Sequence, residues 1–131
     1  AARGLRLMTT GHAGDTIRLL NVKPDGFVQK LSVRYCALGG SAQEIEADLP
    51  LVGGFQVENA LVAAGLVLAT EGDERLHDLF GALSRLKGVP GRLERVAEVN
   101  GALCLVDYAH KPNALEHVLD ALRPYARGRL V

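Results

Sequence analysis

The sequence predicts a mixed α/β fold: an antiparallel sheet with two helices, then a hairpin, a helix and the opening of a further strand. Three observations carry that expectation. Apolar and polar residues alternate with period two across residues 16–49, and the spacing becomes helical after Pro50. Beyond Val89-Pro90-Gly91 a strand-like pattern resumes, with Asn100-Gly101 between two apolar runs. At 131 residues the chain has room for one ordinary domain or for parts of two. The break at Val89-Pro90-Gly91 divides it into residues 1–90 and 91–131.

Taken in order, residues 16–22 read as a strand, and Lys23-Pro24-Asp25-Gly26 reads as a turn, with proline presetting φ at its first central position. In residues 27–38, Phe27, Gln29, Leu31, Val33, Tyr35 and Ala37 share one face, while Lys30, Ser32 and Arg34 share the other. Gly39-Gly40-Ser41 supplies a hairpin turn, after which Ile45, Ala47 and Leu49 alternate with acids. Val57, Leu61, Ala64 and Leu68 then lie at helical spacing, with Val62 and Leu66 widening the stripe. Gly65 within that helix costs about 1 kcal/mol relative to alanine unless another element packs closely against it. Asp73 is placed to cap a second helix with Leu76, Leu79, Phe80, Leu83 and Leu86 on one face, and Gly88 to end it in the left-handed conformation. Residues 93–99 and 103–106 form the second hairpin. The return strand is apolar on both faces, as a strand covered on both sides would be. Pro112 opens a helix with Leu115, Val118, Leu119 and Leu122, closed by Pro124 and Gly128, and Arg129-Leu130-Val131 starts a strand reached by a parallel crossover.

Composition narrows the class. The chain is 48% apolar, which excludes global disorder, and 15 basic residues balance 15 acidic ones, so no net field recruits nucleic acid or an anionic membrane. The longest apolar run, residues 60–69, is too short to span a bilayer, and the first residues carry no signal-peptide pattern. Cys36 and Cys104 lack metal-ligand or disulfide spacing, and a reducing cytoplasm is expected. The first residue is not methionine and the last three look like half a strand, so the sequence is expected to be a piece of a longer protein.

Asp107-Tyr108-Ala109-His110-Lys111-Pro112 leaves a strand and enters a helix, the place where open α/β sheets bind ligands. Asp107 suits ribose hydroxyls or local backbone amides; His110 and Lys111 suit a phosphate or open solvent. Arg92 can grip a phosphate with its planar fork, or pair with Glu94 or Glu98 at the surface. Asn59, after Gly53-Gly54, can hold a purine edge or phosphate, or satisfy loop carbonyls. His12 and His77 lack partners at ligand spacing, His117 falls on a polar helix face, Cys36 has no nearby base, Cys104 reads as a small buried side chain, and no Gly-x-x-x-x-Gly-Lys-Ser/Thr loop occurs to cradle ATP phosphates.

Three stretches taken together carry a resemblance. Gly54-Phe55-Gln56-Val57-Glu58-Asn59-Ala60-Leu61 resembles the segment that enters a long helix in the Mur ligases. Residues 88–96 look like the junction between their central and C-terminal domains, and Asp107-Tyr108-Ala109-His110-Lys111-Pro112-Asn113-Ala114-Leu115 is similar to the signature of the member adding the third stem-peptide residue. The resemblance implies the end of a central ATPase domain (antiparallel strands plus two helices) followed by the start of a Rossmann-like C-terminal domain. It implies an ATP-dependent amide-bond-forming ligase of peptidoglycan synthesis, joining an amino acid such as meso-diaminopimelate to UDP-MurNAc-L-Ala-D-Glu through an acyl phosphate. It assigns the nucleotide to Asn59, its phosphate and ribose region to Arg92, the ribose hydroxyls to Asp107, and the lining of the same cleft to His110. The P-loop and the ligands for Mg2+ would lie before Ala1 and the region reading the added amino acid after Val131, so this piece by itself is expected to be inactive. Lys111 stands where many members have a helix-capping threonine, and Asn113 where an aspartate is frequent. A folylpolyglutamate- or cyanophycin-synthetase-type ligase, or a non-catalytic α/β nucleotide-binding or interaction module, are the alternative readings.

Overall fold

A computed structural model gives the structure of residues 7–37, 40–126 and 128–131. Strands β1 (Thr10–Gly11), β2 (Ile17–Asp25), β3 (Val28–Cys36) and β4 (Ala42–Leu49) form one sheet in that order, β1 parallel to β2 and the rest antiparallel. Helices α1 (Gly54–Glu71) and α2 (Leu76–Ala82) pack on one face of this sheet. A second, two-stranded sheet of β5 (Glu94–Val99) and β6 (Ala102–Val106) follows, and α3 (Pro112–Leu122) leads into a 3-10 turn at Arg123–Tyr125.

The period-two pattern sets the register. Gln29, Leu31, Val33 and Tyr35 of β3 point inward together and meet Ile45, Ala47 and Leu49 of β4. They pack with Ile17 and Leu19 of β2 against Val57, Ala60, Leu61, Ala64 and Leu68 of α1 and Leu76 and Phe80 of α2. The register slips between Leu19 and Asn21, and this bulge brings Val22 back to the inner side. On the wet face Lys30 pairs with Asp48 at 2.7 Å and Arg34 with Glu44 at 2.7 Å. The hydrogen bond that the Lys30 ammonium donates to Asp48 holds its pKa above the usual range. Both pairs are exposed and contribute little to stability.

Several sequence expectations are corrected. The first hairpin turns at Gly26-Phe27, with Gly26 at φ 60, and β2 continues through Pro24 to Asp25. Beyond Arg18, β2 has no pairing with β1, and an edge strand tolerates a proline. Asp73 caps no backbone amide with its side chain; it begins a 3-10 turn and accepts a hydrogen bond from the hydroxyl of buried Tyr35. A phenol tip on the inner face of a strand needs such an acceptor. Gly88 is not left-handed, because the helical segment has already ended in a 3-10 turn and Leu86 is extended. Val62 and Leu66 are 52% and 65% exposed. α1 is apolar nearly all round, so the sheet, not the periodicity, selects its inner face.

β6 is half-exposed, not buried on both sides, since Val106 is 46% exposed and Cys104 is exposed as well. An apolar run records what a strand is suited to, and coverage of both faces needs layers that a two-stranded hairpin lacks. Residues 129–131 are in no strand and β6 pairs with β5 alone, so the parallel crossover is not formed among the described residues. Three residues bury too little to offset the entropy of ordering them. Leu38 and Gly39, at the end of one predicted strand and the start of the next turn, lie outside the described residues, as do residues 1–6.

Gly65 is explained by its neighbour: a Cβ there would stand 3.3 Å from Thr10 Cγ2 and 3.7 Å from Ile17 Cδ1. Gly65→Val is expected to lower stability by about 1–3 kcal/mol in denaturant unfolding, because β1 must move away. In amide hydrogen exchange, Leu61 to Leu68 are expected to be protected longer than Leu103 to Val106, and the reverse order would contradict this packing.

Candidate functional site

The junction between the two sheets is built around Gly53. Its φ of 98° favours glycine, and a Cβ would meet Leu93 Cδ1 at 3.0 Å and Phe55 Cε1 at 3.0 Å. The carbonyl of Gly53 accepts the amide of Gln56 in the first turn of α1 at 3.1 Å and Nε2 of Gln29 at 3.1 Å. Its own N–H donates to the hydroxyl of Tyr125 at 3.4 Å. Burial pushes the Tyr125 phenol above its usual range, so it stays protonated at neutral pH. Gln29 is 1% exposed and donates also to the carbonyl of Leu51 at 2.7 Å.

Across this junction, Gly91 (φ 70) and Leu93 (φ 48) turn the chain into β5. A left-handed leucine costs roughly 1–2 kcal/mol. Two contacts offset it: the side chain is 5% exposed, and its N–H donates to Asp107 Oδ2 at 2.9 Å. Oδ1 of Asp107 accepts the amide of Ala109 at 2.8 Å, so one carboxylate ties the start of β5 to the loop after β6. The amide of Gly91 donates to Glu94 Oε2 at 2.8 Å, and Tyr108 donates its N–H to the carbonyl of Gly91 at 2.8 Å.

The four candidate residues fall as follows. Arg92 and Asp107 are brought together, because the amide that Asp107 holds belongs to Leu93, the residue directly after Arg92. Arg92 is exposed, and its carbonyl receives a long 3.5 Å contact from Nε2 of Gln56. Asn59 is exposed on α1, three residues beyond Gln56. His110 is exposed; its Nδ1–H donates to the carbonyl of Tyr108 at 3.0 Å and its ring meets that of Tyr108 edge-on at 5.4 Å. This leaves Nε2 as an acceptor in the neutral ring. Lys111 precedes α3 without a side-chain cap, and Pro112 occupies the first turn.

A recess of about 270 Å³ lies at the junction, lined among others by Phe27, Gln56, Gly88, Arg92, Leu93 and Arg95. Arg95 stacks over the Phe27 ring at 4.4 Å and reaches Glu98 at 2.9 Å. Its described lining includes Arg92 but not Asn59, Asp107 or His110. The larger recess, about 530 Å³ beside Arg75, His77 and Arg85, contains none of the four. Sequence reasoning overlooked Gln29 and Tyr125 as parts of this junction. Gln29 had left a signal, as the one polar side chain on an otherwise apolar strand face, whereas Tyr125 had left none.

Residues 91–131 match the family model "Mur ligase, glutamate ligase domain". The chain is 52% identical over 134 aligned residues to the UDP-N-acetylmuramoyl-L-alanyl-D-glutamate--2,6-diaminopimelate ligase of Bradyrhizobium diazoefficiens, covering 99% of this chain and 26% of that protein. It is 46% identical to the ligase of the same name from Zymomonas mobilis, covering 98% and 25%. The chain belongs to the Mur ligase family. It spans about a quarter of the length of the curated relatives it matches. The Mur ligase fold recurs in the UDP-N-acetylmuramate-alanine ligase of Thermotoga maritima (TM-score 0.68, 24% identity, 86% of this chain and 25% of that one). It recurs also in the folylpolyglutamate synthetase of Lactobacillus casei (TM-score 0.61, 20% identity, 87% and 28%), a likeness of fold alone.

Among the described residues, no three His, Cys, Asp or Glu side chains cluster to hold a metal ion, and no helix is long and apolar enough to cross a membrane. The described residues thus offer no ready-made cluster of ligands for Mg2+. Replacing Asp107 with alanine removes two charge-assisted bonds and is expected to destabilise the β5–β6 region by about 1–3 kcal/mol. Faster hydrogen exchange confined to the amides of Leu93, Ala109 and their neighbours would report it.

Proposed function

We propose that this chain is part of an ATP-dependent ligase that joins meso-diaminopimelate to the D-glutamyl carboxylate of UDP-MurNAc-L-Ala-D-Glu during cytoplasmic peptidoglycan synthesis. In that reaction the carboxylate takes the γ-phosphoryl group of ATP, and the incoming amine displaces phosphate from the acyl phosphate to form the amide. Residues 1–90 would be the end of the central ATP-binding domain and residues 91–131 the start of the C-terminal ligase domain.

The observation that carries the reading is the carboxylate of Asp107. Each of its oxygens accepts one backbone amide, from Leu93 and Ala109, and each retains a further lone pair. A carboxylate fixed at both oxygens, next to an exposed arginine, suits a ribose diol joined to phosphates. Arg92 would bind the phosphate and ribose region with its planar guanidinium. Asn59 would contact the base or phosphate from α1, and His110, oriented by the Tyr108 carbonyl, would line the same cleft. The substrate assignment draws on the names of relatives 40–52% identical to the chain.

The full-length protein is expected to release phosphate only when ATP, UDP-MurNAc-L-Ala-D-Glu and meso-diaminopimelate are all present. Arg92→Ala is expected to raise the KM for ATP by about tenfold or more, the loss of a charge-assisted contact. Turnover with L-lysine in place of the diamino acid and none with diaminopimelate would overturn the substrate assignment, and an unchanged ATP KM in the variant would overturn the role of Arg92.

A further inference from the structure

We propose that Gln29, on the antiparallel sheet and outside every motif that points to the nucleotide, is a positioning residue for the nucleotide site; the inference rests on the function proposed above. Gln29 sits on the inner face of β3 and is 1% exposed. A buried amide is costly unless it is hydrogen-bonded. Its Nε2 bridges two carbonyls of a single loop, Leu51 at 2.7 Å and Gly53 at 3.1 Å.

That loop connects sheet and site by two routes. Along the first, the Gly53 carbonyl is shared between Gln29 and the Gln56 amide, which fixes the first turn of α1, and Gln56 in turn reaches the Arg92 carbonyl at 3.5 Å. The second route is packing: Leu93, the left-handed residue after Arg92, lies against the open face of Gly53, where any Cβ would clash at 3.0 Å. Tyr125 holds the same glycine from the other side through its amide. Gln29 therefore sets the height of Gly53, and Gly53 sets where α1 begins and where the Arg92–Leu93 turn can rest. An apolar side chain of equal volume fills the same space but takes the donor from the Leu51 carbonyl, leaves the Gly53 carbonyl with the Gln56 amide alone, and frees the loop to shift.

The test compares full-length wild-type enzyme with Gln29→Met and Gln29→Asn, measuring Tm and the KM of each substrate separately. Met keeps the volume and removes both donors. It is expected to raise the KM for ATP about tenfold while the KM values for the UDP-linked dipeptide and the diamino acid stay within about twofold. Asn, one methylene shorter, is expected to shift the ATP KM in the same direction by less. Should Gln29→Met fail to fold, the Asn variant decides alone. Tyr125→Phe, which frees the Gly53 amide, is expected to give a smaller rise of the same kind. A lower Tm or yield with every KM unchanged would make Gln29 a purely structural residue and overturn the proposal, as would an equal rise in all three KM values. Absence of ATP-dependent turnover in the wild type would instead overturn the reaction itself.

Discussion

One buried amide fixes the loop against which the second half of this structure packs. Gln29 donates to Leu51 and Gly53, and the loop that it secures is the only covalent path from β4 into α1. Removing that amide would leave the Leu51 carbonyl without its donor beside a close-packed core, a loss larger than the net value of an ordinary hydrogen bond. The position of α1 on the sheet, the glycine-only backbone at Gly53 and the docking of Leu93 all depend on that loop keeping its place.

From Gly53 the constraint passes to the segment with the chemistry. Leu93 adopts a conformation that costs it roughly 1–2 kcal/mol. Burying its side chain contributes about 1.5–3 kcal/mol, and a hydrogen bond to a carboxylate adds a comparable amount, so the strained turn is stable where it stands. Strain held by its surroundings in this way fixes the backbone beside an exposed arginine. Asp107 has a double part: it completes the turn with one oxygen and the loop after β6 with the other. A side chain so fixed keeps one orientation, which the proposed recognition of a ribose diol would use.

The antiparallel sheet and its two helices were legible in the sequence because their inner faces repeat with a single period over many residues. Leu31, Val33 and Tyr35, or Val57, Leu61 and Leu68, leave little choice of face once a core forms. Turn chemistry was legible where two unusual residues stood together: Asn100 and Gly101 both take positive φ, as their pair predicts. It misled at Pro24, since a proline on an edge strand and a proline in a turn have the same local preference. The small parallel strand at Thr10–Gly11 carried no pattern of its own, though Gly65 marked where it would pack.

The sequence by itself determined the family, the order of the main elements from β2 to α3 and the residue types proposed to meet a nucleotide, because these rest on local spacing and on motifs read along the chain. Only the tertiary structure decided that Asp107 grips the amide of Leu93, that Gln29 and Tyr125 meet at Gly53, and that α1 turns Val62 and Leu66 outward. Those contacts join residues 14 to 72 positions apart. Their partners are chosen by how layers stack, and no periodicity along one strand or helix records which distant backbone group will arrive opposite a given side chain.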